Sequence, residues 1–270
     1  MALYDVIDEI AEKQVLKTDT GDTRIFGVVV GIVVKNYDKD FPGRICVNIP
    51  TRDKEANTLK WARLAMPSSG SKWGHYFLPE IDDQVLVVFE QGNIEKPYVI
   101  GCVPKDSNQF LKKAADENNQ YKKIMTKNGT HITFEDNKEG EGEKDKLQIE
   151  TAKSAHTFSM DNENKVITLK DKEGKCQVIM KTEEGNISVT AEKKLTVKVG
   201  DSIELIMNGS SGAVSLKCNK YTLEASNKIN VSTDGMAKFG GANIILDADN
   251  TLKAGSSGMT QVAGATIKIG

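Results

Sequence analysis

The alternation of apolar and polar residues changes character twice along the chain. Near the start the period is helical. Leu3, Val6, Ile7, Ile10 and Val15 recur at spacings that share one face, while Asp5, Asp8, Glu9, Glu12 and Lys13 fall mostly elsewhere. The pattern predicts a short amphipathic helix within residues 1–23. Such a helix is marginal in water on its own, so its apolar face must dock, either on its own domain or on a partner chain.

Residues 24–104 follow the two-residue period of strands. Residues 25–34 are rich in β-branched side chains, with Gly27 and Gly31 marking bends or bulges. Residues 36–43 carry turn chemistry, and residues 44–49 place Ile45, Val47 and Ile49 on one face. Further strands are predicted at 61–65, 84–89 and 97–103, with loops at 67–74 and around Gly92. Short strands joined by turns over about eighty residues fit a small barrel of OB type. Residues 105–125 are polar and lysine-rich and predict a connector with some helical tendency.

From residue 126 short alternating segments recur at 132–134, 147–149, 166–169 and 178–180, the β-structured upper part of a stem extending to residue 186. The acidic run 135–145 reads as a hairpin tip. From residue 187 to 270 the units become regular. Ile187-Ser-Val189, Leu195-Thr-Val197 and Ile203-Glu-Leu205 lie eight residues apart, as do Tyr221-Thr-Leu223 and Ile229-Asn-Val231 after a register slip around Gly209–Gly212. Strands this short cannot build a thick core and can only stack. Three identical chains wound round one axis would bury the apolar faces and cap the open edges. About ten stacked strands would give a stem on the order of 50 Å. A single-chain β-solenoid is the alternative, but its rungs need longer strands.

Composition narrows the function. Aromatics make up 6% of the chain, and after Phe158 only Tyr221 and Phe239 remain, which fits an elongated C-terminal part. A net charge of −2 gives no basic footprint for nucleic acid. The acidic start lacks a following apolar run, so no signal peptide and synthesis in the cytoplasm are expected. Cys46, Cys102, Cys176 and Cys218 form no CxxC pair. His75, His131 and His156 are scattered, and neither a metal site nor a cofactor is expected. Ser154 and His156 lack an acid and an oxyanion hole, and His131 near Glu135 and Asp136 reads as solvated surface, so no catalytic group is assigned. Trp61 and Trp73 read as barrel core or inter-subunit packing, and Arg44 and Arg63 as partners of Asp38 or Asp83.

An ordered set of residues carries a family resemblance. Asn36 and Asp38 end the first strand, Gly43-Arg44 opens the second, and Trp61-Ala-Arg63 forms the third. Trp73-Gly74, Pro79, Val85 and Phe89 follow, then Gly92, Pro97 and Gly101. These segments resemble the OB-fold domain of the central spikes of contractile injection systems, which include phage baseplate assembly protein V, tail spikes of contractile phages and the VgrG proteins of type VI secretion. The segment Asn128-Gly-Thr-His-Ile-Thr-Phe-Glu-Asp136 resembles the opening of the family's β-structured stem.

The resemblance implies an all-β homotrimer with an OB collar and an intertwined β-helical needle. It also implies a structural role in piercing the target envelope on sheath contraction, within a phage tail or phage-tail-like bacteriocin. Only about 24 residues precede the OB domain, so the baseplate hub is expected to be a separate protein, with Leu3, Val6, Ile7 and Ile10 as docking candidates. A separate tip protein is a further candidate partner, and contact with the target envelope would be transient. The other reading, of a different class, is a trimeric OB-fold binding module or effector carrier displayed on a β-helical rod.

Overall fold

The computed structural model describes residues 23–50 and 60–268. The expected N-terminal helix, with Leu3, Val6, Ile7 and Ile10, lies outside the described residues.

Five strands close into a barrel: β1 (Val29–Lys35), β2 (Arg44–Asn48), β3 (Lys60–Leu64), β4 (Gln84–Phe89) and β5 (Pro97–Cys102). Their order is β1-β2-β3-β5-β4, with β4 returning to β1. All contacts are antiparallel except β3 with β5. The OB-type barrel expected from the sequence is present; β2 to β5 match the predicted strands to within a residue at either end, whereas β1 begins four residues later than the β-branched run at residues 25–34 indicated. The interior is filled by Val33, Ile45, Val47, Ala62, Val85, Val87, Phe89, Ile94 and Val99. Most are β-branched residues, which suit a pleated surface with one buried face.

Gly31 sits inside β1, facing the core. A Cβ there would lie 3.0 Å from Val87 Cγ2, tighter than side chains ordinarily pack, so glycine eases the close approach of β1 and β4. The bulge expected along this strand falls just beyond it, between Val33 and Lys35.

The connector holds one short helix, α1 (Gln109–Ala114), whose cap Asn108 accepts from the Leu111 N–H. It ends sooner than the sequence indicated, because β6 (Tyr121–Met125) already belongs to the next sheet. Lysine-rich and only partly apolar, β6 gives little alternation to read. That sheet has seven strands in sequence order: β6, β7 (His131–Glu135), β8 (Lys146–Glu150), β9 (His156–Asp161), β10 (Val166–Asp171), β11 (Cys176–Lys181) and β12 (Asn186–Ala191). Every neighbouring pair is antiparallel.

A second compact unit begins at Lys194. Within it β13 (Lys194–Val199), β14 (Ile203–Asn208) and β15 (Ala213–Lys217) form a three-stranded antiparallel sheet. The sequence predicts short period-eight strands that stack, in a winding of three chains or in a single-chain solenoid. Up to residue 217 they pair antiparallel along the chain. The physical reason is turn chemistry: Gly185, Gly200 and Gly212 all take positive φ, closing tight hairpins that L side chains would strain. The apparent register slip at Gly209–Gly212 is the β14–β15 hairpin turn, held by Ser210 and Ser211 N–H groups donating to Asn208 Oδ1. Residues 218–268 contain no helix or strand. Apolar positions of the repeat there, including Tyr221, Leu223, Ile229, Val231, Leu246 and Leu252, are exposed.

Candidate functional site

Two surfaces stand out, one on the stem and one on the barrel. The seven-stranded sheet sorts its side chains by register. One row runs Ile124, Ile132, Ile149, Phe158, Leu169, Val178 and Val189, one residue per strand. Two residues along each strand, and so on the same face, a second row runs Phe134, Leu147, Met160, Ile167, Met180 and Ile187. Between them on the opposite face lie Thr133, Gln148, Ser159, Thr168, Ile179 and Ser188, polar but for Ile179. The apolar face is left open: Leu169 is 53% exposed and Ile187 67%. The three-stranded sheet repeats the pattern, with Leu195, Met207 and Val214 in one row and Val197, Leu205 and Leu216 in the next. A continuous apolar sheet face of this extent marks an interaction surface.

On the polar face a small cluster gathers round Glu150. It accepts from Gln148 Nε2 (2.6 Å), Ser154 Oγ (3.2 Å) and Thr157 Oγ1 (3.4 Å), and His131 Nε2 lies 3.7 Å away. His131 is therefore not the solvated group the sequence indicated. Its ring sits across the ladder from Glu150, with Nδ1 2.9 Å from the Gly129 carbonyl oxygen. Glu150 is far from His131 in sequence, and only strand register brings the two together. Ser154 donates to this carboxylate, while His156 Nδ1 faces Thr151 Oγ1 at 3.5 Å. The serine thus has no imidazole base on its hydroxyl, which nucleophilic catalysis would need. Among the described residues no group of three or more His, Cys, Asp or Glu side chains could hold a metal ion.

The barrel surface lies over β2, β3 and the neighbouring loops. Arg44 and Arg63 are direct register partners, and their neighbours Ile45 and Ala62 point into the core, so both arginines face outward. Trp61 stacks on Phe41 with ring centroids 5.7 Å apart, and the Arg44 guanidinium lies 5.4 Å from the Phe41 ring. With Glu90, Glu95, Lys96, Pro97 and Tyr98 they line a cavity of about 290 Å³. Glu90 accepts from Lys96 Nζ (3.0 Å) and Tyr98 Oη (2.9 Å), and these bonds hold its carboxyl below the usual range. Lys60 Nζ donates to Glu95 at 2.6 Å.

The expected pairing of Arg44 and Arg63 with Asp38 or Asp83 is not what forms. Asp38 accepts the Asp40 N–H and Asp83 the Glu80 N–H, each closing its own turn. Trp61 is half-buried on the barrel exterior. Trp73 is 67% exposed and packs over Gly70, where a Cβ would meet its indole at 2.5 Å. Neither tryptophan is barrel core.

The remaining motif residues are structural supports. Asn36 Nδ2 donates to the Pro79 carbonyl, tying the β1–β2 loop to the loop that leads into β4. Val85, Phe89, Pro79 and Pro97 are buried. Gly43, Gly74 and Gly92 take positive φ, whereas nothing crowds Gly101. Phe41, Glu90, Glu95 and Tyr98 were not singled out by the sequence; Phe41 reaches Arg44 through the turn before β2, whereas only barrel closure brings Glu90, Glu95 and Tyr98 to the arginines. No described helix is long and apolar enough to cross a membrane.

Residues 29–103 match the family model of the type VI secretion system and phage-baseplate injector OB domain. Over 85 residues the chain is 32% identical to the type VI secretion system spike protein VgrG2a of Pseudomonas aeruginosa. That stretch is 30% of this chain and 10% of the relative, so the similarity spans about a tenth of the relative's length.

Proposed function

With a barrel that places the chain in the VgrG-like and phage-baseplate spike family, we propose that this protein is the trimeric central spike of a contractile injection particle. The observation that carries the reading is the apolar face of the seven-stranded sheet, two rows wide and uncovered within one chain. A three-fold axis lets each copy's face pack against the other two, which removes the whole stripe from water at once. Residues 218–268 support the same reading. Their backbone lacks strand partners in the chain, while their apolar positions keep the spacing of the paired segments, so other chains are the natural source of the missing hydrogen bonds. An intertwined needle in this stretch follows.

The role is mechanical, with no chemical step. The OB collar seats the spike on the baseplate, the N-terminal segment with Leu3, Val6, Ile7 and Ile10 reaches a separate hub protein, and the C-terminal end meets the target envelope or a tip protein. Backbone ladders running across the stem give it the stiffness to transmit sheath force.

Light scattering on the intact chain tests this first. A mass near three times 29.5 kDa is expected. A monomer at micromolar concentration would overturn it. Deleting residues 1–17 should then leave the trimer intact and abolish capture by the cognate hub, and retained capture would remove the docking role.

A further inference from the structure

We propose that the outer face of β2 and β3 is a binding site for a hydroxylated ring bearing one acidic group, that is, an acidic sugar unit. Four features meet in the cavity lined by Arg44, Trp61, Arg63, Glu90, Glu95 and Tyr98.

The first is charge. Arg44 and Arg63 lie directly opposite each other across an antiparallel pair, where like charges repel. The two acids beside them already hold short ion pairs with other cations, Glu95 with Lys60 and Glu90 with Lys96. Arg63 acts on Glu90 only through its longer-range field. A carboxylate or phosphate between the guanidinium groups relieves the repulsion and gains charge-assisted hydrogen bonds.

The second is the aromatic wall of Trp61, stacked on Phe41, with Tyr98 beside Arg63 across the parallel β3–β5 contact. Such rings offer flat apolar area for the C–H face of a sugar, with a polar handle on tyrosine.

The third is the pair of carboxylates. Glu90 and Glu95 can accept hydrogen bonds from ring hydroxyls, and the same charges repel a polyphosphate backbone. A singly charged, hydroxylated ligand satisfies both the arginines and the glutamates, whereas a nucleic acid satisfies only the arginines.

The fourth is place and size. The face of strands 2 and 3 with the loops that flank it is where OB barrels bind oligosaccharides and oligonucleotides. About 290 Å³ sits at the small end of ligand pockets and suits one sugar ring.

The test is calorimetric titration of the intact protein at low salt with N-acetylmuramic acid, glucose 6-phosphate, N-acetylglucosamine and adenosine monophosphate. At least one acidic sugar should bind about tenfold or more tightly than N-acetylglucosamine, as a charge-assisted contact requires. Binding of the carboxylate sugar alone supports the site and assigns a carboxylate source; binding of the phosphosugar alone supports it and assigns a phosphate source. Arg63→Gln and Arg44→Gln should each weaken that binding about tenfold, and Lys72→Gln, in the exposed loop before Trp73, should leave it unchanged. Melting curves check each variant's fold; if Arg44→Gln unfolds early, Arg63→Gln, exposed on its strand, decides alone. Equal binding of the neutral sugar, equal or tighter binding of the nucleotide, no binding of any ligand, or indifference to both arginine changes would overturn the proposal. The oligomer's mass does not depend on this site, so such a failure leaves the spike reading untouched.

Discussion

Leu169→Asp is the sharpest probe of what the sheet face is for. Leu169 lies on β10, between Phe158 and Val178 in the first apolar row, and 53% of it is still exposed in the single chain. Full burial of a leucine side chain is worth about 2 kcal/mol, so covering the exposed half gives about 1 kcal/mol per chain and about 3 kcal/mol per trimer. That alone is roughly a hundredfold in association. Aspartate forfeits it and adds the cost of taking a carboxylate out of water, which carries the loss past about a thousandfold. The assay is sedimentation velocity over a dilution series, with far-ultraviolet circular dichroism on the same samples. The variant should fall to monomer at concentrations where the parent stays trimeric, with its strand signal retained. Lys170→Glu, one residue along on the opposite, polar face, should leave the assembly unchanged. If Leu169→Asp assembles like the parent with its sheet intact, this face is not the one that three copies bury.

Gly31→Val would push a side chain against Val87, and overpacking of this kind should cost about 1–3 kcal/mol in a denaturant melt of the barrel; an unchanged midpoint would refute the close approach. Acid should loosen the stem. The Asp171 carboxyl is held below its ordinary value first by the Cys176 N–H, and that of Glu184 by Lys181 and Asn186. Because the folded values are depressed, their contribution is fully present above the unfolded values and is lost as pH falls through the folded ones. The melting temperature should therefore be level from neutrality to about pH 5 and drop below about pH 4, and a level curve down to pH 3 would contradict this. Cys46 is buried, and burial raises its thiol, partly offset by Lys35. Iodoacetamide should modify exposed Cys102 on β5 and spare Cys46 until the barrel unfolds, so early labelling of Cys46 would mean the barrel opens.

Legibility in the sequence followed the locality of the signal. The barrel strands were readable because each alternates over four to six residues and is bounded by Gly, Pro or Asn, as at Gly43 and Pro97. The stem strands β7, β8, β10 and β11 were readable for the same reason. β6 and β9 were not, since Lys122-Lys123 and His156-Thr157 dilute the apolar face that only register reveals. The hairpins at Gly185, Gly200 and Gly212 were misjudged because spacing alone does not say whether a short strand finds its partner before or after it in the same chain or in another chain. Trp73 shows the converse limit: a large aromatic residue reads as core, yet it covers the backbone of Gly70 on the outside. The Arg44–Arg63 pair was named from sequence, but with the wrong partners, because choosing among acids requires closing the barrel.

The meander topology has a further consequence, for the order of events during assembly. Every stem strand from β6 to β12 pairs only with its immediate neighbours in sequence, so each ladder closes a short loop, and low contact order of this kind favours fast formation. A newly made chain can raise its sheets before it meets another copy. Residues 218–268 form no strand and so close no such local ladder. If three copies assemble as proposed, preformed sheets would dock first, hold three tails at high effective concentration, and let residues 218–268 order last. A particle caught mid-assembly should carry a finished upper stem and a protease-sensitive tail.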